Sequence, residues 1–167
     1  MPSVLFICTA NVCRSPMAEA LFKARVDPEI DAADWRIESA GTWATGGAPA
    51  AAKSRQVLQE AFNLDITSHR SRCVSRELLR SFDLILVMER GHKEALIAEF
   101  PEISGRVFLL SEMAGSVRDV RDPYTGSLAD YEDTARELDL LITQGYGKII
   151  QLAQKSTNSK KSQGGTS

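Results

Sequence analysis

A cysteine and an arginine near the start of the chain are separated by five residues, and a serine and a proline follow the arginine directly. The whole segment reads Cys8-Thr9-Ala10-Asn11-Val12-Cys13-Arg14-Ser15-Pro16. A cysteine thiolate is a strong nucleophile, and a thiol at a helix N-terminus loses its proton readily. The planar guanidinium of arginine binds two oxygens of a phosphate at once. The spacing therefore indicates phosphoryl transfer through cysteine, with Cys8 as the nucleophile and Arg14 as the phosphate clamp.

The backbone between these two residues completes the expected anion site. Consecutive N–H groups in a tight loop, together with the positive end of a helix dipole, favour a bound phosphate. Besides Arg14, the expected phosphate-binding residues are Thr9, Ala10, Asn11, Val12, Cys13 and Ser15. The loop does not end in Gly-Lys-Ser/Thr, so it is not a nucleotide-binding phosphate loop. The Ser15 hydroxyl has two expected roles, a hydrogen bond to the Cys8 sulfur and the N-cap of the helix.

A late carboxylate supplies the expected proton donor. Asp122 is followed by Pro123 and Tyr124, and the leaving oxygen of a phosphate ester needs a proton as its bond to phosphorus breaks. The same carboxylate can then accept a proton from the attacking water. We therefore expect Asp122 to be the general acid and base. The alternative is that Asp-Pro only forms a turn, as this pair often does.

These residues need strands and helices that bring them together. Apolar runs predict strands at residues 4–8, 36–40, 83–88 and 106–110. Helical periodicity predicts helices at residues 16–26, 49–62, 75–82 and 91–100. A long helix follows Ser127, which with Asp130 has the spacing of a capping box, and Gly145 and Gly147 are expected to weaken or kink it. Residues 111–126 have no strong periodicity and are expected to form a loop.

The alternation of strands and helices predicts an α/β fold in three layers, with a parallel sheet and helices on both of its faces. Ligands of such sheets bind beyond the carboxyl ends of the strands. Cys8 lies at that end of the first predicted strand. The topology and the cysteine-arginine motif therefore predict the same site.

Composition excludes several classes of protein. The 167 residues are 43% apolar and 25% charged, with a net charge of −2, which is typical of one globular domain without an affinity for nucleic acid. We find no apolar run that could span a membrane and expect a cytoplasmic monomer. The three cysteines cannot all pair with one another. We predict one domain over residues 1–154 and a disordered polar tail over residues 155–167.

The two motifs, Ile7-Cys8-x-x-Asn11-x-Cys13-Arg14-Ser15-Pro16 and Asp122-Pro123-Tyr124, together resemble the low-molecular-weight protein tyrosine phosphatase family. The resemblance covers roughly residues 3 to 154. It implies a phosphatase I-like fold with a four-stranded parallel sheet in the order 2-1-3-4. It also implies hydrolysis of phosphotyrosine in a protein substrate through a phosphocysteine intermediate, without a metal or another cofactor.

The resemblance implies roles for residues outside the two motifs. Ser39 and His69 are expected to join Asn11 in a network that holds the loop of residues 8–15, called the phosphate loop, in shape. Trp43 and Tyr124 are expected to form aromatic walls of the substrate cleft. Two other interpretations remain open, an exposed loop position for His69 and a place in the core for Trp43. The chain departs from eukaryotic members in having Tyr124-Thr125 where they have two adjacent tyrosines, so phosphorylation of this loop is in doubt.

Cys13 offers a second hypothesis for the same loop. A disulfide between Cys8 and Cys13 is feasible at this spacing and would inactivate the enzyme reversibly while protecting Cys8 from further oxidation. The alternative is that Cys13 is simply a small core residue.

Three rival functions share some of these residues. An arsenate reductase of the same fold uses two further cysteines in a relay, and outside the loop this chain has Cys73 alone. A zinc-binding module could use Cys8-x4-Cys13 with His69-x3-Cys73, although Arg14 beside them opposes a dication. A phosphate-binding homologue without activity is disfavoured because the cysteine, the arginine and the aspartate are all present.

Overall fold

Four parallel strands form the centre of the computed structural model, which describes residues 1–26 and 34–163. The strands are β1 (Ser3–Cys8), β2 (Arg36–Gly41), β3 (Leu84–Val87) and β4 (Val107–Leu109), and their order in the sheet is β2-β1-β3-β4. The predicted sheet and its strand order are confirmed. β1 pairs with both β2 and β3, which puts the strand that ends in Cys8 inside the sheet.

Helices cover both faces of this sheet. They are α1 (Arg14–Arg25), α2 (Ala52–Phe62), α3 (Arg76–Arg80), α4 (Arg90–Glu99), α5 (Leu110–Met113) and α6 (Leu128–Gln163), with a 3₁₀ helix at Pro101–Arg106. Side chains alternate along β1, so Val4 and Phe6 pack in the core with α1, α2 and α6. Leu5 and Ile7 pack in a second core with α3 and α4. This confirms the predicted three layers.

The carboxyl ends of β1 and β2 meet at the predicted site. Cys8 pairs with Gly41, and the chain beyond each strand stays close, since the N–H of Trp43 donates to the carbonyl of Thr9 at 2.9 Å. A Cβ at position 41 would overlap the carbonyl oxygen of Thr9. Glycine is therefore required here because the phosphate loop passes directly over it.

The end of the chain differs from the sequence-based expectation. The tail was expected to be disordered from residue 155, but α6 continues to Gln163, while residues 164–167 lie outside the described part. The Thr157 hydroxyl donates to Asp83 at 2.8 Å, which ties this end of the helix to the start of β3. A polar composition therefore did not prevent helix formation, because the preceding helix and this contact supply the order.

Two glycines of α6 were expected to weaken it, but the helix is continuous. A Cβ at Gly145 would lie 2.6 Å from the Cβ of Met113. Gly145 is therefore a point of close approach between α6 and α5. The short helix α5 itself lies within residues expected to form a loop. None of the helices described has the length and apolar character to cross a bilayer.

The capping predictions had opposite outcomes. Ser127 and Asp130 form the expected reciprocal cap, since the N–H of Ser127 donates to Asp130 at 2.8 Å and the N–H of Asp130 donates to Ser127 at 3.3 Å. The N-cap role of Ser15 was wrong, because α1 begins at Arg14 and Cys13 occupies the cap position. Ser15 lies within the first turn, where its hydroxyl is free to contact the loop.

Candidate active site

Cys8 lies at the floor of a cavity of about 200 Å³. Its side chain is 97% buried, with 3% exposed, and its sulfur is 3.0 Å from the Ser15 hydroxyl oxygen. A hydroxyl that donates to a sulfur favours the thiolate over the thiol. The start of α1 follows immediately, so its free N–H groups and dipole also favour negative charge at this point. These features therefore favour an anion bound next to the Cys8 sulfur.

Arg14 is 1% exposed and is held along one edge of its guanidinium. Its Nη1 donates to the carbonyl of Val120 at 2.7 Å and lies 3.0 Å from Glu89 Oε1. Its Nη2 is 3.4 Å from Asp122 Oδ2. Within the described part of the chain, the buried Nε atom has no hydrogen-bond partner. The Nε–Nη2 edge is thus the edge that can take two oxygens of a phosphate.

Asn11 holds the phosphate loop in shape from within. Its φ is 58°, in the left-handed region that asparagine tolerates better than most residues. Its buried side chain donates to the hydroxyls of Ser15 at 2.8 Å and Ser39 at 3.0 Å, and accepts from the N–H of Arg72 at 3.0 Å. These bonds join the loop to β2 and to the segment that precedes α3.

The other two residues expected in this network are also present in it. His69 Nε2 is 2.7 Å from the carbonyl oxygen of Asn11. The Ser39 hydroxyl donates to Glu19 at 2.6 Å, which links β2 to α1. The structure therefore brings Asn11, Ser39 and His69 together around one loop, and the exposed-loop interpretation of His69 does not apply because its ring is bonded.

The remaining cavity wall comes from the segment after α5. The cavity is lined by Cys8, Thr9, Ala10, Val12, Cys13, Arg14, Asp122 and Tyr124. The Asp122 carboxylate accepts from the N–H of Tyr124 at 3.1 Å and is partly exposed. The sequence motifs at opposite ends of the chain therefore meet in one cavity, which is lined by the Cys8 sulfur, the buried Arg14 guanidinium and the Asp122 carboxylate.

A family model described as low molecular weight phosphotyrosine protein phosphatase matches residues 3–157. The chain belongs to this family. It is a phosphatase, and the resemblance drawn from the two motifs is confirmed.

Relatives in this family are named for different substrates. The chain is 37% identical over 143 residues to a protein-arginine-phosphatase of Bacillus subtilis, which covers 84% of this chain and 92% of that protein. It is 38% identical over 125 residues to low molecular weight protein-tyrosine-phosphatase Wzb of Escherichia coli K12, which covers 75% of this chain and 80% of that one. A low molecular weight protein tyrosine phosphatase structure from T. tengcongensis superposes with a TM-score of 0.82 at 39% identity, over 89% of this chain and 99% of that one.

Trp43 is placed differently from Tyr124 in this phosphatase. The Trp43 side chain is 86% exposed, and Trp43 does not line the cavity. The expected aromatic wall is therefore formed by Tyr124 without Trp43, and the alternative of core packing for Trp43 is also wrong. Trp43 was misplaced because a short glycine-rich loop has no periodicity that reports which way a side chain points.

The three cysteines of the phosphatase differ in exposure. Cys8 and Cys13 are buried, Cys73 is exposed, and all three are free thiols. Burial raises the pKa of the Cys13 thiol. The disulfide between Cys8 and Cys13 stays a prediction. Among the described residues, no group of three or more His, Cys, Asp or Glu side chains could hold a metal ion, so the zinc-site hypothesis has no support in the geometry.

Glu89 and His92 belong to the site but were not found from the sequence. Glu89 binds Arg14 through Oε1, and its Oε2 is 3.2 Å from His92 Nε2. The same ring nitrogen is 2.9 Å from the Thr9 hydroxyl. Burial lowers the pKa of His92 against the opposing effect of Glu89. Glu89 could have been found from its position just beyond β3, at the carboxyl edge of the sheet.

Proposed function

We propose that this phosphatase hydrolyses aryl phosphomonoesters, phosphotyrosine in proteins above all, through a phosphocysteine intermediate. The observation that supports this most directly is the shared cavity in which the Cys8 sulfur, the Arg14 guanidinium and the Asp122 carboxylate meet. Membership of the family implies phosphoprotein substrates. The roles below are those that the geometry supports for these three residues.

In the first step the Cys8 thiolate attacks phosphorus. The S–P bond forms, the bond between phosphorus and the phenolic oxygen breaks, and the phenol leaves with a proton from Asp122. The N–H groups of the loop and the Nε–Nη2 edge of Arg14 bind the equatorial oxygens, where charge is spread in the transition state. Arg14 is already anchored by Val120 and Glu89, so little ordering remains when phosphate binds.

In the second step water replaces the sulfur. Asp122, now a carboxylate, accepts a proton from the water as the water oxygen attacks phosphorus. The S–P bond breaks, inorganic phosphate forms, and the Cys8 thiolate is restored. The hydroxyl of Ser15, 3.0 Å from the sulfur, stabilises this thiolate as a leaving group.

The walls of the cavity favour an aromatic substrate. Ala10, Val12 and Tyr124 line it, and their side chains offer methyl groups and an aromatic ring to the group that carries the phosphate. Phosphotyrosine is the protein phosphoester with an aromatic ring, so these contacts favour it over shorter alkyl phosphates.

Phosphoarginine is a second candidate because of the relative named as a protein-arginine-phosphatase. Its scissile bond joins phosphorus to nitrogen, and its guanidinium needs an acceptor when it enters the cavity. Among the residues that line the cavity, Asp122 is the carboxylate. The two substrates therefore use the same nucleophile but need different cavity walls. Phosphotyrosine needs apolar and aromatic contacts, and phosphoarginine needs a hydrogen-bond acceptor.

The test compares para-nitrophenyl phosphate, a phosphotyrosine peptide and free phosphoarginine at about pH 6 with a chelator present. We expect turnover of the aryl substrates by the wild type and none by Cys8→Ser. Asp122→Asn is expected to lower kcat/KM for the phosphotyrosine peptide by about 100-fold or more. Detection of phosphocysteine at Cys8 by mass spectrometry, after a rapid acid quench, would identify the intermediate.

Asp119→Asn is the matched control, because Asp119 is a nearby carboxylate whose contact is the N–H of Arg90 at 2.8 Å and which does not line the cavity. We expect it to retain activity. Equal losses in both aspartate variants would contradict the acid role of Asp122. Turnover of phosphoarginine with a kcat/KM well above that of the phosphotyrosine peptide would replace the proposed substrate.

A further inference from the structure

The residues that carry the expected acid are attached to α6 by a buried tyrosine. We define the acid loop as residues 122–126. Tyr131, in the first turns of α6, is 3% exposed, and its hydroxyl donates to the carbonyl of Tyr124 in that loop at 3.2 Å. The same hydroxyl oxygen is 3.5 Å from the Cys13 sulfur in the phosphate loop. One hydroxyl therefore touches both loops of the site.

The direction of the protons in this contact follows from chemistry. A carbonyl can only accept, so the Tyr131 O–H proton points to Tyr124. The lone pairs of the same oxygen are then left to accept from the Cys13 S–H. Burial raises the pKa of both Cys13 and Tyr131, which keeps both protons in place at neutral pH. The Cys13 thiol thus donates to the Tyr131 hydroxyl, which in turn donates to the backbone carbonyl of Tyr124.

Tyr124 relays this contact to the acid. Its carbonyl is held by Tyr131, and its N–H donates to Asp122 Oδ1 at 3.1 Å. A rotation of this residue would therefore move the carboxylate. The loop has a second anchor at its other end, where Lys53 of α2 donates to the carbonyl of Gly126 at 2.7 Å. The Lys53 Nζ atom also lies 5.8 Å from the centre of the Tyr131 ring.

We propose that Tyr131 is a positioning residue that sets where Asp122 stands relative to the phosphate loop, by holding the acid loop through its hydroxyl. This inference rests on the proposed acid role of Asp122. Tyr131 touches no reacting atom. Its effect on the rate is therefore exerted through Asp122, and in the step that forms the phosphocysteine it is confined to the protonation of the leaving oxygen.

That confinement gives a readout that general damage to the fold would not produce. A leaving group with a low pKa, such as para-nitrophenolate, departs without much help, whereas phenolate depends on a well-placed acid. The ratio kcat/KM reports the step that forms the phosphocysteine. A misplaced Asp122 lowers kcat/KM for phenyl phosphate more than for para-nitrophenyl phosphate.

The experiment measures kcat/KM for these two substrates in wild type, Tyr131→Phe and Asp122→Asn. Phenylalanine keeps the ring and its packing and removes the hydroxyl. We expect Tyr131→Phe to lower the value for phenyl phosphate by about tenfold and that for para-nitrophenyl phosphate by less than about threefold. Asp122→Asn should show the same selectivity with larger losses. Tyr146→Phe, the same change elsewhere in α6, where the ring packs against Phe22, should leave both values unchanged.

The outcomes separate the two ideas. If Asp122→Asn is selective and Tyr131→Phe lowers both substrates equally or neither, the positioning role is overturned and the proposed function stands. If Asp122→Asn shows no selectivity, the acid assignment fails and the positioning role fails with it. Lys53→Met, which removes the other anchor of the acid loop, gives a second measure. It should shift the ratio of the two substrates in the same direction as Tyr131→Phe.

Discussion

Asn11 shows how much of the active site depends on a single side chain. It adopts a left-handed backbone conformation with a φ of 58° and is completely buried. Its amide makes hydrogen bonds to Ser15, Ser39 and Arg72. Alanine tolerates neither condition, because it lacks the polar atoms and meets steric strain at positive φ. The loop between Cys8 and Ser15 is therefore held from inside by this side chain as well as by its own backbone hydrogen bonds.

Asn11→Ala is expected to lower the free energy of unfolding by about 3–4 kcal/mol, since it adds backbone strain and leaves buried polar partners unsatisfied. The matched control is Asn63→Ala, because Asn63 has the same kind of backbone, with a φ of 54°, at the exposed end of α2. That change carries the strain and removes one exposed hydrogen bond from Gln59, and it should cost about 1–2 kcal/mol. Urea unfolding measures both, and equal costs would contradict a buried network around Asn11.

The last turns of α6 show how one contact organises an element. Residues 155–163 carry no apolar stripe that would by itself hold a helix against the core. The Thr157 hydroxyl donates to Asp83 at 2.8 Å, and the same carboxylate oxygen accepts from the N–H and the hydroxyl of Ser3. This end of the helix is therefore joined to the starts of β1 and β3. These lie at the edge of the sheet formed by the amino ends of the strands, and the active site lies at the opposite edge.

Thr157→Ala is expected to destabilise the protein by about 1 kcal/mol relative to Ser159→Ala. Both changes improve helix propensity by a similar few tenths of a kcal/mol, so propensity cancels in the comparison. The Ser159 hydroxyl donates to the carbonyl of Lys155 in the same helix at 3.0 Å, whereas the Thr157 hydroxyl reaches Asp83 outside the helix. Thermal unfolding of the two variants gives the difference, and a negligible difference would show that this contact does not hold the helix.

At the scale of the whole molecule, the two faces of the sheet supply different parts of one site. The face covered by α1, α2 and α6 contributes the phosphate loop and the acid loop. The other face contributes α4, whose His92 is buried against Thr9 and Glu89. Arg14, Asp119 and Asp122 are the other charged groups that act on His92. Protonation of this ring would place a charge where burial opposes it.

The pH dependence of stability follows with a definite sign. Burial lowers the pKa of His92 in the folded protein, so the unfolded chain takes up a proton at this residue at a higher pH than the folded one. Stability contributed by neutral His92 is present above about pH 6.5, the ordinary pKa of histidine, and is lost as the pH falls below that value. One proton changes the free energy of unfolding by at most about 1.4 kcal/mol per pH unit.

His92→Gln should therefore lose less stability than the wild type between about pH 7 and pH 5. The carboxylates with lowered pKa, such as Glu38 and Asp130, titrate below this range and do not interfere. Urea unfolding at several pH values gives the two slopes. Parallel slopes would mean that His92 does not set the acid sensitivity of the fold.

From the sequence alone we could predict the fold class, the three residues that meet in the cavity and, through the family resemblance, the strand order. Strand periodicity and the cysteine-arginine spacing are local patterns, which can be recognised in one sequence because they depend on residues close together in the chain. The sequence did not predict where the Trp43 side chain points, the short helix α5, or the helical state of residues 155–163. In each of these cases the local sequence is compatible with more than one conformation.

The contacts that join distant segments arise only in the folded molecule. Glu89 binds Arg14, Tyr131 touches both Cys13 and Tyr124, and Thr157 reaches Asp83. Tyr131 and Thr157 are ordinary residues of α6, and nothing in their immediate neighbours marks them. The position of Glu89 just beyond β3 indicates that it lies near the site but does not indicate its contact with Arg14. Their roles come from the packing of helices on a parallel sheet, which brings residues far apart in the chain within hydrogen-bond distance and removes the water that would otherwise compete for them.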